Sequence, residues 1–366
     1  MVLHVDGTTL DEAPPCAAVL YHQFPQLRES GRRLVASLAT SRPGSTYSAT
    51  GLYLTAREYA VAQSSDTRLE VLATDSLGCN LAIVMRNPAT GHTLLAQVDR
   101  LTASDLDAMT AALVPQHSYS SRLNLSLVGS YQDRAGVALS LLAPVLSTLH
   151  HHPHHFDLTL VCLGELATVR DATPPMPVLP GVGVNLRTGE VFPIADCSME
   201  RGPDLNLRTA RTLAASGDKV PGMLSVYDCL REQLAIGPFT YEPMRAVDIW
   251  LGQPDDFLVQ SLCPCPEAVG QGFARQLRAA LQLVKEHPYP SVTLFHSDCP
   301  RLYSKAHDGA WSALHGSTGK LPWYSQHSQQ VVKAEAFPSL AGCHFKSEPM
   351  PWQSFPHTAL HSQAFF

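Results

Sequence analysis

Four short apolar segments between Thr55 and Val128 constrain the fold more than any other feature of the sequence. They are VLAT at 71–74, LAIVM at 81–85, TLLAQV at 93–98 and LNLSLV at 123–128. Segments of this length, rich in Val, Leu and Ile and bounded by turn residues, are typical of β-strands. RNPATGH separates the second from the third, and its Asn-Pro and Thr-Gly pairs favour a turn. We therefore predict that these two segments form a hairpin.

Helical periodicity elsewhere adds a second type of element. On one predicted helix, apolar residues recur every fourth position: Val137, Leu141, Val145 and Leu149. Asp133 is placed to cap this helix, and Pro144 is expected to kink or shorten it. Further strands are predicted at 158–163, 224–228 and 233–239, a hairpin at 181–194, and helices from Arg201 and Phe273. We predict one mixed α/β (α+β) domain over residues 1–338, with helices packed on largely antiparallel sheets, and a disordered tail at 339–366.

Composition excludes several classes of protein. The chain has 366 residues, 45% hydrophobic, and 26 basic against 32 acidic residues give a net charge of -6. No basic cluster is interleaved with aromatic residues, which argues against a nucleic-acid partner. The apolar runs are shorter than the roughly 20 residues that cross a bilayer, and the N-terminus lacks a secretory signal pattern. We expect a monomer without a membrane partner, in the cytoplasm and, as a second location, the nucleus.

Two clusters contain residue types that bind metals. Five histidines lie within 150–155, and Cys263-Pro-Cys265 forms a CxC pair. Pro153 interrupts the histidine run, which has no spaced Cys or carboxylate partner, and a single CxC seldom builds a zinc site. We interpret both as surface loops and predict neither a metal nor an organic cofactor.

Cys79 differs from the other eight cysteines in its surroundings. It follows small and polar residues at 74–78 and stands at the start of the LAIVM strand. Backbone N–H groups of an irregular loop favour a thiolate and can bind an oxyanion, so this position suits a cysteine nucleophile. The alternative is a buried structural cysteine, since free cysteines are among the most buried residues. The other eight are interpreted as packing residues.

The predicted hairpin indicates which residues lie near Cys79. If the turn is centred near residues 88–89, residue 85 pairs with residue 93, and Cys79 then lies opposite Asp99 with Gln97 close by. Directly opposed residues have Cβ atoms about 4.5–5.5 Å apart. The pattern therefore predicts that Cys79, Gln97, Asp99 and the preceding Thr74 lie close together.

The stretch from Leu72 to Asp99 resembles the nucleophile region of protein N-terminal asparagine amidohydrolases. That region runs Gly-Ser/Thr-Asp, a loop ending in Thr-Thr-Cys, an apolar strand, a turn and His-x-Asp. Other stretches agree in order: VLHVDG at Val2, LVGSYQD at Leu127, GVGVNLRTGEVF at Gly181, RGPDLNLRTARTLAAS at Arg201, LSVYDCLREQLAIGPFTYEP at Leu224, VDIWL at Val247 and KEHPYPSVTLF at Lys285. The resemblance covers residues 2–310.

This resemblance implies an enzyme that converts the N-terminal Asn of proteins and peptides to Asp with release of ammonia, the first step of the arginylation branch of the N-degron pathway. It implies an α-β-β sandwich similar to the necrotizing-factor toxins and chemoreceptor deamidases, with a Cys, His and Ser/Thr triad. The nucleophile then falls on Cys79. The Ser/Thr falls on Thr74 if one loop residue is deleted, the Asp falls on Asp99, and the histidine falls on Gln97.

Gln97 departs from the family pattern. A Gln amide has no usable proton affinity near neutral pH, so it orients partners but does no general acid–base work, and loss of that work typically costs about 10²–10⁴-fold in rate. His92 would substitute only after a register slip. We therefore predict reduced activity with an intact fold and pocket.

Two functional hypotheses remain open. The first is the deamidase, in which Asp99 or Asp75 binds the substrate α-ammonium group. The second is a catalytically impaired homologue that binds Asn-initiated peptide N-termini without turnover.

Overall fold

The computed structural model of the chain describes residues 3–114, 122–169, 171–214, 221–270, 272–295 and 298–314. The strands are β1 (Leu3–Val5), β2 (Thr8–Thr9), β3 (Gly51–Leu54), β4 (Glu58–Ala62), β5 (Val71–Asp75), β6 (Leu81–Arg86), β7 (Thr93–Val98), β8 (Leu123–Tyr131), β9 (Phe156–Gly164), β10 (Thr168–Val169), β11 (Met176–Pro177), β12 (Gly181–Asn185), β13 (Val191–Ile194), β14 (Leu224–Ser225), β15 (Tyr227–Asp228), β16 (Gln233–Ile236), β17 (Arg301–Lys305) and β18 (Trp311–Ala313). The helices are α1 (Ala17–Gln23), α2 (Pro25–Ser37), α3 (Ala103–Leu113), α4 (Val137–His151), α5 (Leu205–Leu213), α6 (Val247–Leu251), α7 (Asp255–Leu262), α8 (Phe273–Glu286) and α9 (Pro290–Thr293). The predicted tail at 339–366 lies outside the described residues.

The largest sheet has eight strands in the order β14-β4-β7-β6-β8-β9-β1-β2. Its central strands β4, β7, β6 and β8 pair antiparallel, each with its neighbour in that order. By contrast, β14 joins β4 in parallel, and β9 joins both β8 and β1 in parallel. A second sheet has the order β13-β12-β5-β3, and a third, entirely antiparallel, has the order β15-β16-β17-β18. Most strand pairs are antiparallel, as predicted.

The two faces of the largest sheet meet different layers. Successive side chains of a strand point to opposite faces, so Leu81 and Ile83 of β6 pack in the core that α1, α3 and α4 cover. Ala82 and Val84 point the other way, into a core shared with the second and third sheets. This arrangement of helices, sheet and sheet confirms the predicted α-β-β sandwich.

The predicted hairpin is present as β6 and β7, but its register is shifted by one residue. Arg86, not Met85, pairs with Thr93. The reason lies in the turn, where the Asn87 N–H donates to His92 O at 2.9 Å and the Asn87 side chain accepts from the Ala89 N–H at 3.0 Å. An Asx turn of this kind starts the loop one residue later than expected. The predicted placement of Cys79 opposite Asp99 is therefore wrong.

Helix α4 confirms that Asp133 caps its start and shows that Pro144 does not end it. The Asp133 carboxylate accepts from the N–H groups of Val137 at 2.9 Å and Ala138 at 2.8 Å. The helix runs on through Pro144 to His151. Burial of residues on both sides of the proline, such as Leu142 and Val145, keeps the helix continuous, since packing provides most of a helix's stability in proteins.

The prediction that the histidine run and the CxC pair are surface loops is wrong, because most of their side chains are buried. His150, His152 and His154 are buried near the end of α4. There, His152 Nε2 lies 3.0 Å from Oδ1 of Asp107 in α3. Cys263 and Cys265 are also buried. In the described ranges, no group of three or more His, Cys, Asp or Glu side chains is arranged to hold a metal ion. No helix in those ranges is long and apolar enough to span a membrane.

Candidate active site

The loop of residues 76–80 joins β5 to β6 and positions Cys79. Ser76 adopts a left-handed conformation with φ 56°, and its N–H donates to Pro180 O at 3.2 Å. A Cβ atom at Gly78 would lie 2.9 Å from the Cβ of Ala268, so a larger residue would displace one of the two segments. The loop is thus packed closely against the segment that follows α7, and Cys79 at its end is only 9% exposed.

A bend near the end of β8 holds the other side of this loop. The Ser130 N–H donates to Asn80 O at 3.0 Å. Gly129 has φ 120°, and a Cβ there would approach Asn80 O to 2.6 Å. Glycine is therefore required at 129 both for its backbone conformation and for the close approach of the loop.

Cys79 forms a disulfide with Cys265, which lies just after α7. Their Cα atoms are 6.1 Å apart, inside the usual range of about 4.4–6.8 Å for disulfides. Both sulfur atoms lie in a small apolar cluster with Tyr131 and Ala167. Sequence reasoning missed Cys265: the CxC pattern was the only signal, and a sequence separation of 186 residues gave no means of pairing it with Cys79.

A small cavity lies beside this cluster. Its lining residues are Leu77, Gly129, Tyr131, Ala167, Pro177 and Leu179. Its volume of about 10 Å³ holds about one water molecule. An asparagine side chain is too large for this cavity.

Thr74 and Gln97 form a buried polar pair between the two sheets. Thr74 Oγ1 lies 2.8 Å from Gln97 Oε1 and 2.9 Å from Leu54 O, so its single proton is shared between two acceptors. Gln97 Nε2 donates to Asp75 O at 3.1 Å. The structure thus joins Thr74 and Gln97 directly, whereas Cys79 packs in a different cluster with Tyr131, Ala167 and Cys265.

The side chain of Asp75 is occupied on both oxygens. Oδ2 accepts from Arg201 Nη2 at 2.7 Å, and Oδ1 accepts from Tyr53 Oη at 2.7 Å and Ser76 Oγ at 2.9 Å. Burial, together with the Asp75 carboxylate, raises the pKa of Tyr53 well above its usual value, so this hydroxyl remains a donor. Asp75 is therefore charge-paired and 4% exposed.

Asp99 is the more accessible of the two predicted carboxylates. Its Oδ1 accepts from Arg57 Nη1 at 2.6 Å, and its side chain is 27% exposed. Arg57 is shared with Asp105, whose Oδ2 lies 3.7 Å from Arg57 Nη2. Extending the β6–β7 register by one pair places Asp99 opposite Asn80, the neighbour of Cys79.

His92 lies at the opposite end of the hairpin from Cys79. Its carbonyl closes the turn with Asn87, beyond the far end of β6. At about 3.4 Å per residue, the six residues of β6 separate that turn from the Cys79 loop by about 20 Å. The observed register therefore leaves His92 out of the site.

Tyr131 and Glu267 are two further residues that the sequence did not indicate. Tyr131 Oη donates to Glu267 Oε1 at 3.0 Å, and Glu267 lies two residues after Cys265. Burial and the adjacent Glu267 raise the pKa of Tyr131, so the phenol stays protonated near neutral pH. The pair places a hydrogen-bonded carboxylate beside the disulfide.

The chain matches known proteins over most of its length. Residues 42–313 match the family model described as protein N-terminal asparagine amidohydrolase. The human and mouse proteins of that name are each 30% identical to the chain and align with 86% of it and 98% of their own length. The Arabidopsis thaliana protein of that name is 26% identical over 71% of the chain and 80% of its own length.

Proposed function

Because the chain belongs to the protein N-terminal asparagine amidohydrolase family, we propose that it hydrolyses the side-chain amide of an N-terminal asparagine, with reduced Cys79 as the nucleophile. The observation that carries this proposal is the position of Cys79, in a tightly held loop that follows the Thr74–Gln97 pair. Thiols at such irregular turns lie beside backbone N–H groups that can bind a developing oxyanion.

Other described cysteines are less suited to this role. Burial raises the pKa of Cys162 to about 12 and that of Cys263 to about 11. Burial and the nearby Asp75 raise the pKa of Cys197 to about 12. Since the thiolate is the reactive form, these thiols are poor nucleophiles near neutral pH.

The proposed reaction has two stages. The Cys79 thiolate attacks the carboxamide carbon, the C–N bond breaks, and ammonia leaves with a proton from solvent, which gives a thioester. Water then attacks the thioester carbon, the C–S bond breaks, and the thiolate is restored. The net change consumes one water and yields aspartate and ammonium.

Gln97 limits the rate of both stages. Its amide binds Thr74 and Asp75 and so orients the Thr74 hydroxyl, but it accepts no proton from the thiol and gives none to ammonia. We therefore propose activity that is lower than that of a histidine-containing relative by about 10²–10⁴-fold.

For the substrate α-ammonium group we propose Asp99 ahead of Asp75. Arg57 contacts only Oδ1 of Asp99, whereas Arg201, Tyr53 and Ser76 occupy both oxygens of Asp75. Asp99 therefore retains an oxygen for a second cation.

Ammonia release from Asn-initiated peptides tests the proposal. Under a dithiol reductant, the natural chain and the Cys162→Ala control should release ammonia, and Cys79→Ala should not. Peptides that begin with Gln, or that carry Asn at the second position, test the selectivity. Equal release by Cys79→Ala and the natural chain would contradict the role of Cys79.

The second candidate function is recognition without turnover, which the glutamine at position 97 favours. It predicts that the reduced chain binds an Asn-initiated peptide more tightly than the matching Asp-initiated peptide, while no ammonia is formed. Calorimetric titration with both peptides separates this case from the enzyme.

We further propose that the product feeds the arginylation branch of the N-degron pathway, in the cytoplasm and nucleus. The family resemblance supports this role, since an N-terminal aspartate is the product. An Asn-initiated reporter should persist longer in cells when Cys79→Ala replaces the natural chain, whereas an Asp-initiated reporter should be unaffected.

A further inference from the structure

We propose that Cys79 and Cys265 form a reversible thiol redox site. Oxidation by a hydroperoxide joins the nucleophile Cys79 to Cys265 in a disulfide, and a dithiol reductant restores the free Cys79 thiol. The control of catalysis rests on the proposed function, whereas the disulfide chemistry does not. In the closed form Cys79 has no thiolate, and the adjacent cavity holds only about one water molecule.

The fold holds the two partner loops in place independently of the disulfide. On one side, Ser76 and Asn80 are fixed by backbone hydrogen bonds to Pro180 and Ser130. On the other, the N–H of Ala268 donates to Cys265 O at 3.0 Å, and that of Cys263 donates to Val259 O at 3.0 Å. None of these bonds involves a sulfur atom, so none has to break when the disulfide is reduced. Reduction can therefore open the site without unfolding either loop.

The pairing is selective. Cys263 is two residues from Cys265 and buried, yet it carries no disulfide. Among the described cysteines, Cys16, Cys162, Cys197 and Cys229 also carry none. Within the part of the chain that the structure describes, the disulfide thus involves the candidate nucleophile, which fits a redox-sensing bond better than a stabilising framework.

Glu267 and Tyr131 complete the surroundings of this site. Their hydrogen bond at 3.0 Å keeps a carboxylate two residues from Cys265. Cys79 is 9% exposed and Cys265 3% exposed, so Cys79 is the more accessible of the two to a small oxidant.

Oxidation proceeds in two steps, through a sulfenic acid on Cys79. The Cys79 thiolate attacks the terminal oxygen of a hydroperoxide, the O–O bond breaks, and a sulfenic acid and an alcohol or water result. The Cys265 thiol then attacks the Cys79 sulfur, an S–S bond forms, and water leaves. The two thiols lose two electrons and the peroxide gains them. A dithiol returns both electrons and is released as its own disulfide.

Thiol alkylation with mass-spectrometric mapping tests the site without reference to catalysis. The full chain is treated with hydrogen peroxide, then with or without dithiothreitol, and Cys79 is labelled with iodoacetamide. In the natural chain and the Cys263→Ser control, labelling of Cys79 should fall at least about 10-fold on oxidation, with a Cys79–Cys265 cross-linked peptide, and recover after reduction. In Cys265→Ser no cross-link forms, and the loss should not reverse because Cys79 proceeds to sulfinic acid.

Ammonia release from an Asn-initiated peptide, measured on the same samples, separates the two proposals. If release follows labelling of Cys79, both stand. If labelling follows the redox state but no sample releases ammonia, the redox site stands and the proposed function fails. If Cys79 is labelled equally in oxidised and reduced samples, or if Cys265→Ser recovers as fully as Cys263→Ser, the redox site is refuted whatever the ammonia results.

Discussion

At the scale of single residues, position 97 is where the family resemblance leads us to expect a histidine and the chain has a glutamine. The Gln97 amide fills a buried place between two sheets, with its oxygen facing Thr74 and its nitrogen facing the Asp75 carbonyl. An amide satisfies both partners but cannot shuttle a proton. Both ends of the Gln97 side chain therefore have hydrogen-bond partners in the fold.

Replacement of Gln97 by histidine tests this reading. We expect Gln97→His to raise kcat/KM for an Asn-initiated peptide by about 10²–10⁴-fold, because a general acid–base group is restored. The control Gln97→Asn keeps an amide and should give no increase. A Gln97→His rate equal to that of the natural chain would mean that another group carries the proton.

The sequence predicted residue types better than it predicted their partners. Cys79, Thr74 and Gln97 could be chosen from local pattern and family resemblance, and Thr74 and Gln97 do lie together. The cations that pair with Asp75 and Asp99 could not be predicted, because Arg201 is remote in sequence and Arg57 lies on a segment that no motif marked. Long-range pairing is a property of the folded chain.

At the scale of elements, apolar periodicity predicted where strands and helices lie, and a polar side chain set their exact alignment. Strands β6 and β7 lie where their apolar segments predicted them, whereas the Asx turn at Asn87 shifts their register by one residue. The pattern of a strand leaves its register to the turn. In α4 the polar side chain is Asp133, whose carboxylate accepts from the first two N–H groups of the helix and so fixes where the helix begins.

Loss of the α4 cap should have a measurable cost. Asp133→Ala leaves the N–H groups of Val137 and Ala138 without their acceptor and should lower the free energy of unfolding by about 0.5–2 kcal/mol. Asp133→Asn retains one side-chain oxygen and should lose less. Urea unfolding under reducing conditions measures both, and an unchanged Asp133→Ala midpoint would mean that the helix end needs no cap.

At the scale of the whole molecule, buried charges connect the layers. Arg208 of α5 donates to both oxygens of Glu58 in β4, at 2.9 and 2.5 Å, and to Tyr53 O in β3 at 2.8 Å. This fully buried pair thus ties a helix to two sheets. Burial by itself would raise the pKa of Glu58, but the Arg208 guanidinium and the hydrogen bonds from Thr55 together lower it, so Glu58 stays ionised.

Breaking this ion pair should destabilise the whole fold. Glu58→Gln leaves the Arg208 charge buried without a counter-charge and should cost about 3–5 kcal/mol. Arg28→Gln is a matched control, since Arg28 pairs with Glu165 at the surface and such pairs contribute about 0–1 kcal/mol. Equal losses for the two variants, measured by urea unfolding, would contradict the connecting role of Glu58.

Lys305 of β17 gives the stability a pH dependence of known sign. Its ammonium group donates to Ser48 O at 2.8 Å and Gly51 O at 2.6 Å, and burial lowers its pKa to about 8 from 10.5. Between pH 8 and 10.5 the unfolded chain binds more protons at this lysine than the folded chain does. The free energy of unfolding therefore rises as the pH increases above 8, and this gain is lost as the pH falls back through 8.

A comparison with Lys305→Met isolates this effect. Between pH 8 and about 9.5 the natural chain should gain no more than about 2 kcal/mol relative to Lys305→Met, since Trp311 and the two carbonyls also favour the charged form. Parallel pH profiles of unfolding free energy for the two chains would contradict the shifted pKa.

Trapping the thioester is the most direct test of whether Cys79 acts as a covalent nucleophile. The reduced chain is mixed with an Asn-initiated peptide, quenched in acid within the first turnover, and analysed by intact mass and peptide mapping. We expect an adduct equal to the peptide minus ammonia, located on Cys79 and absent from Cys79→Ala. An adduct on another residue, or ammonia release from Cys79→Ala at the natural rate, would contradict the account.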